Sequence, residues 1–176
     1  QITNCTFYNI GDCAIDLKGG NVDTLKSGNN KIENCFLSRI ATNNKNAAAI
    51  ILRGCGNSCI KNTIGGTSFH AITYYGNDHM IKYNEIFNVN RTCDDVGVIY
   101  CGRNYVHRGD EIAYNFIHDV EPILVQSRGF NPAIYWDDSA SGQTAHHNII
   151  VNALIGVYFC GQKDIFNNNT IVNAKR

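Results

Sequence analysis

Proline, methionine, tryptophan and charge are all scarce in this chain: its 176 residues include 2 Pro, 1 Met and 1 Trp, and 17 % are Asp, Glu, Lys or Arg. The 15 basic residues cancel the 15 acidic ones, so there is no global field to gather nucleic acid or an anionic membrane surface. No apolar run approaches the roughly eighteen residues of a spanning helix, and no leader-type segment is legible. The sequence thus reads without membrane or nucleic-acid partners. Its 8 cysteines do not read as a disulfide scaffold, because such scaffolds are small and poor in core, whereas 44 % of this chain is hydrophobic. Cys55 and Cys59 make a lone C-x₃-C step without a second pair, weak spacing for zinc, and they could bridge each other only if their turn brought them together. No metal site is expected. What is plentiful is 24 Asn, 22 Ile and 16 Gly, a stock of strand and turn formers with few helix formers. Many short strands are expected, within a single domain over residues 1–176.

The chain repeats itself. One motif reads apolar, two variable residues, Asn/Cys/Thr, variable, apolar, variable, Asn/Asp/Arg, small apolar. It occurs as ITNCTFYNI from Ile2, IENCFLSRI from Ile32, IKYNEIFNV from Ile81, IAYNFIHDV from Ile112, AHHNIIVNA from Ala145 and FNNNTIVNA from Phe166, with a weaker copy from Ile60. Between successive copies lies a second motif: AIDLKG from Ala14, AIILRG from Ala49, AITYYG from Ala71, GVIYCG from Gly97, AIYWDD from Ala133 and GVYFCG from Gly156. Two strands are expected to alternate. The first motif recurs at steps of 30, 28, 21, 31, 33 and 21, so the minimal unit is 21 residues and the rest is insertion. A unit of that size with period-2 patterning and no helical period fits one coil of a parallel β-helix.

Stacking such coils brings equivalent residues to about 4.8 Å from each other. Cys5, Cys35, Thr63, Asn84, Asn115, Asn148 and Asn169 then form a ladder, in which amides can bond up and down the column and satisfy turn backbone. Alternation sends Ile15 and Leu17 inward with their equivalents, Trp136 among them, and Asp16 and Lys18 outward. On these repeats the sequence resembles the right-handed parallel β-helix superfamily, the pectate-lyase-like fold, over essentially its whole length. The resemblance implies an all-β solenoid of about seven coils and supplies its handedness. Neither end of the pattern carries a polar cap, so the chain is expected to be a segment of a longer protein with flanking coils or domains.

Insertions are uneven. From first motif to second the starts differ by 12, 17, 11, 16, 21 and 11, and from second to the next first by 18, 11, 10, 15, 12 and 10. The fourth and fifth coils carry most of the excess, and a groove walled by their loops is the expected binding site. Those loops hold Asp94, Asp95, Arg103, His107, Arg108, Asp110, Glu111 and Arg128. In the fifth copy the position that is Gly at 19, 54, 76, 102 and 161 is Asp138. A left-handed turn is expected there, which Asp tolerates at a cost. Asp137 is expected to face outward in a column with Lys18, Arg53, Tyr75, Cys101 and Cys160, where low-polarity neighbours suit a general acid.

The segments CDDVGVIYCGR from Cys93 and IYWDDSASG from Ile134 resemble those of bacterial β-helix glycoside hydrolases, in particular glycoside hydrolase family 141. That resemblance implies a secreted or cell-surface enzyme on a plant-type polysaccharide or oligosaccharide. It also implies that Asp95 and Asp137 are its catalytic pair, with Asp94 and Asp138 as alternates. On one straight strand the columns of Asp95 and Asp137 would lie about 20 Å apart, too far for either hydrolytic mechanism. The pair therefore requires the Asp94–Asp95 loop to fold back over the face, with Asp110 or Glu111 as the spare partner. Tyr75 and Tyr135 are outward aromatics suited to stacking on sugar, and His79, Arg103, His107, Arg108 and Arg128 are candidate substrate contacts. No cofactor is expected. Two other readings use the same fold. A polysaccharide lyase would take Arg103, Arg108 or Lys82 as base and hold Ca²⁺ on the four aspartates. A non-catalytic carbohydrate-binding or tailspike-like module would have no turnover.

Overall fold

Each copy of the first motif forms two strands, because two residues in its middle turn the chain. In the computed structural model, which describes residues 1–90, 92–120 and 129–176, every coil therefore has up to three strands. Seven strands, from Ile2–Thr3 to Ile165–Asn167, stack as one sheet, and seven more, from Thr6–Tyr8 to Thr170–Val172, stack as a second. A third sheet has six: Ile15–Gly19, Ile50–Cys55, Ile72–Asn77, Ile99–Gly102, Pro132–Asp137 and Ile155–Phe159. Each strand pairs in parallel with its equivalents in the coils above and below, which makes the molecule a right-handed parallel β-helix.

The core is a set of vertical columns. Ile15, Ile50, Ile72, Ile99 and Ile134 are in register and buried, as are Leu37, Ile64, Ile86, Ile117 and Ile150. Each fully buried Ile side chain contributes roughly 1.5–3 kcal/mol relative to exposure. Trp136 is fully buried in the column of Leu52 and Tyr74, as its inward position predicts.

Two corners account for the abundance of Asn. Asn4, Asn34, Lys61, Tyr83, Tyr114, His147 and Asn168 occupy one position per coil with φ of 53–58°, and Asn9, Arg39, Asn88, Asp119, Asn152 and Asn173 occupy another with φ of 52–58°. Asn tolerates this left-handed region better than most residues. The residue after the first of these corners forms the ladder. Asn84 Nδ2 donates to Asn115 Oδ1, Asn115 Nδ2 to Asn148 Oδ1 and Asn148 Nδ2 to Asn169 Oδ1, each at 2.9 Å. Backbone N–H groups join the same oxygens, as Asn84 N–H does at 3.0 Å. Cys5 and Cys35 end the column with thiols turned to the carbonyls of Thr3 and Glu33. All eight cysteines are free, Cys55 and Cys59 included.

Register differs from the sequence reading in two coils. In the third, Cys59 pairs with Ile32 and Ile81, so the ladder residue is Asn62 rather than Thr63. In the fourth, Ile99 pairs with Ile72 and Ile134, one residue later than motif alignment implies. A one-residue slip exchanges the two faces of a strand. This one keeps the Ile column unbroken, sends Cys101 into the core and turns Tyr100 outward. Cys101 is therefore not beside Asp137; Gly102 is.

Candidate active site

Chain-length variation is confined to the two sides of the third sheet. The corner between the first and second sheets has two residues in all seven coils, whereas the connections entering and leaving the third sheet differ from coil to coil. Over the outer face of that sheet lies a cavity of about 500 Å³, lined among others by His70, Thr73, Asp95, Tyr100, Arg103 and Asp137.

The loop carrying Asp94 and Asp95 folds back over this face, as the paired reading requires. Asn131 staples it there by donating to the carbonyls of Asn90 at 2.9 Å and Cys93 at 2.8 Å, and Asn90 Nδ2 donates to Val96 O at 3.1 Å. Asp94 is part of the same fastening, because its Oδ1 accepts the Phe130 N–H at 2.8 Å. Asp95 adopts φ 57° and turns its carboxylate to the Tyr135 hydroxyl, which donates to Oδ1 at 3.0 Å.

Asp137 ends its strand. Its Oδ1 accepts the Asp138 N–H at 2.8 Å and its Oδ2 accepts the Tyr100 hydroxyl at 3.1 Å. Tyr100 reaches it because the axial neighbour of Asp137 is glycine: a Cβ on Gly102 would stand 2.8 Å from the Tyr100 hydroxyl and 3.0 Å from Asp137 Cβ. Asp137 also lies close enough to act electrostatically on the Tyr135 hydroxyl.

The phenols are dependable donors. Burial, and then the neighbouring carboxylates, push both Tyr100 and Tyr135 well above the usual tyrosine range. Tyr135 is wedged edge-to-face against Tyr100 at 5.3 Å, and against Phe130 and Tyr158 at 5.5 Å, so its hydroxyl has little freedom.

The remaining candidates are dispersed. Asp138, with φ 35°, confirms the turn at that position and pairs with Arg103 at 3.4 Å. Both side chains are more than half exposed, so the pair adds little stability. Tyr75 lines the cavity beneath Arg53, whose guanidinium lies 5.3 Å from the ring centre. His107 accepts from Asn104 Nδ2 at 3.0 Å and borders an adjoining hollow with Lys18 and Tyr75. Arg108 lines a separate cavity of about 430 Å³ with Lys163. His79 is fully buried in a corner, its Nδ1 accepting the Asn57 N–H at 3.2 Å, and burial depresses its pKa. It is placed for packing between coils. Glu111 pairs with Lys82 at 2.7 Å on the first sheet, and Asp110 is buried. Arg128 lies outside the described residues.

Sequence reasoning missed His70. It directly precedes the Ala71 motif, where other copies have Cys13, Ala48 and Pro132, and a polar ring in that series was the available signal. It also missed Tyr100, because the slipped register hid its outward direction.

A right-handed β-helix with two facing carboxylates in an open cleft is thus the class that fold and site define. No family model and no curated protein sequence matches the chain. Among solved structures it is similar to one titled "Glycoside hydrolase", with a TM-score of 0.67 and 15 % identity over 97 % of this chain. The chain spans 31 % of that structure's length, and at this identity the likeness speaks for the fold.

Proposed function

We propose that this chain carries the active site of a glycoside hydrolase acting on an extracellular polysaccharide, with Asp95 and Asp137 as its two carboxyl groups. The observation that carries the reading is one open cleft lined by a loop aspartate and a strand-end aspartate, with the Tyr135 hydroxyl bonded to the first and the Tyr100 hydroxyl to the second. A β-helix neighbour titled glycoside hydrolase supports it, as does the resemblance of the two aspartate segments to glycoside hydrolase family 141.

Roles follow from anchoring. Asp137, held by a hydroxyl and a backbone amide, is the nucleophile; Asp95, on the stapled loop with a single hydroxyl contact, is the acid and then the base. Retaining enzymes set their carboxyls about 5–5.5 Å apart and inverting ones about 6.5–9.5 Å. With Asp137 as nucleophile the reaction is a retaining one. Asp94 and Asp138 serve as fastening and turn residues.

The test is product analysis on a panel of plant polysaccharides. Reducing ends are expected from wild type, with proton NMR showing first-formed sugar of unchanged anomeric configuration. Asp95→Asn and Asp137→Asn are each expected to lose about 10²–10⁴-fold in kcat. An unsaturated, ultraviolet-absorbing product that needs Ca²⁺ would move the protein to the lyases. Turnover by Asp137→Asn at the wild-type rate would remove the reading altogether.

A further inference from the structure

The wall of the cleft also holds a histidine that neither aspartate bonds. His70 is 6 % exposed, and its Nδ1 lies 2.6 Å from the carbonyl oxygen of Gly97. A carbonyl oxygen only accepts, so Nδ1 carries the proton and Nε2 is left with a lone pair. Among the described residues no group donates to that nitrogen. The ring cannot swing away, because it stacks on Tyr100 at 4.4 Å and 13° and tilts against Phe69 at 4.0 Å. Beside it in the wall, Thr73 is 3 % exposed and its hydroxyl has no partner. The Thr73 hydroxyl is sealed from the cavity, whereas the His70 ring lines it and offers an acceptor to whatever enters.

The charges of the cleft narrow what that can be. Arg53 is engaged by Asp16 at 3.0 Å and lies over Tyr75, while Arg103 is engaged by Asp138. The carboxyl groups of Asp95 and Asp137 line the same opening. A carboxylate entering here would meet a lone pair and two acids. A ring hydroxyl can donate to His70 Nε2. Burial lowers the His70 pKa to about 4, which keeps the imidazole an acceptor at neutral pH.

We propose that His70 in the cleft wall forms a subsite for a hydroxyl of an uncharged sugar ring, which makes the protein selective for neutral glycans over those built of uronic acids. The inference rests on the hydrolase reading for its choice of cleft, and it deepens that reading by naming the substrate class. His70 is here a specificity residue, one hydrogen bond from the sugar and separated from Asp137 by the Tyr100 ring.

Affinity electrophoresis and kinetics on arabinoxylan, xyloglucan, polygalacturonate and alginate test it. Wild type is expected to bind, and to cleave, one of the neutral polymers, with no retardation by either polyuronate. His70→Phe keeps a stacking ring and loses the acceptor, so KM for the neutral polymer is expected to rise about tenfold, the worth of one hydrogen bond, with kcat little changed. His70→Gln, whose amide oxygen can accept, is expected to recover much of the loss. Urea midpoints of both variants report whether the fold is intact. Tighter binding to polygalacturonate or alginate, binding to neither neutral polymer, or an unchanged KM in a folded His70→Phe variant overturns the proposal. Cleavage of a polyuronate that is lost in Asp137→Asn would leave the hydrolase standing and sink the subsite. Neutral-glycan binding that depends on His70 without any turnover would do the reverse.

Discussion

Asp110 gives the sharpest test of the physical account, because it is an acid inside the wall of a solenoid. It is 1 % exposed; Oδ1 accepts the His79 N–H at 2.8 Å and Oδ2 is buried without a partner. Burial pushes its pKa from 3.8 to about 8, against the pull of the His79 amide and Gln143. In the unfolded chain the group ionises near its ordinary value. The folded state thus holds a proton that the unfolded state releases, and stability falls as pH rises from about 4 to about 8. Each pH unit in that window costs about 1.4 kcal/mol, so at pH 7 the penalty is on the order of 4 kcal/mol at most. Asp110→Asn keeps the acceptor for His79 and removes the titration. Urea midpoints from pH 4 to pH 8.5 are the assay. The variant is expected to match wild type near pH 4 and to exceed it by about 2–4 kcal/mol at pH 8, with an unchanged m-value. A gap between the two proteins that is the same at both ends of the range refutes the reasoning.

Other expectations concern the cleft and the ladder. Tyr135→Phe retains the aromatic packing and deletes the hydroxyl bonded to Asp95; kcat is expected to fall about 10–100-fold while stability shifts by about 1 kcal/mol, checked by kinetics beside urea melts. Gly102→Ala puts a methyl against the Tyr100 hydroxyl and Asp137 Cβ, so activity is expected to drop more than thermal stability, and a crystal structure should show Tyr100 displaced from Asp137. Asn115→Ala removes the acceptor for the Asn84 N–H and amide and the donor to Ile81 O, with an expected loss of about 2–4 kcal/mol and no change in KM.

The fold was legible because its signal is redundant: an Ile that recurs inward in every coil is hard to misread. The errors fell where one copy departs from the others. Cys59 stands for an Ile in the third coil, and Gly97-Val98 in the fourth looks like Gly156-Val157 in the sixth and like the Ala-Ile pairs of the remaining copies, so alignment by small residues slipped by one. A second polar column, running through Asn57, His79, Asp110, Gln143 and Asp164, escaped because its residue types vary, although the backbone amides of Asn57, His79 and Gln143 each find a side-chain acceptor in the next coil, as Gln143 N–H finds Asp164 at 3.0 Å. For the candidate site, residue types at Asp95 and Asp137 were readable and their convergence was not. It depends on fastenings by Asn131 and Asp94 that no spacing rule encodes.

The two-residue corner, identical in all seven coils, has an engineering consequence. Two edges of the triangular cross-section behave as a fixed chassis, and everything variable is cargo on the remaining edge. Segments flanking the third sheet should be exchangeable between coils, or with those of other solenoids, without disturbing register. Diversification of what such a scaffold recognises can then proceed by swapping cargo while the chassis is left alone.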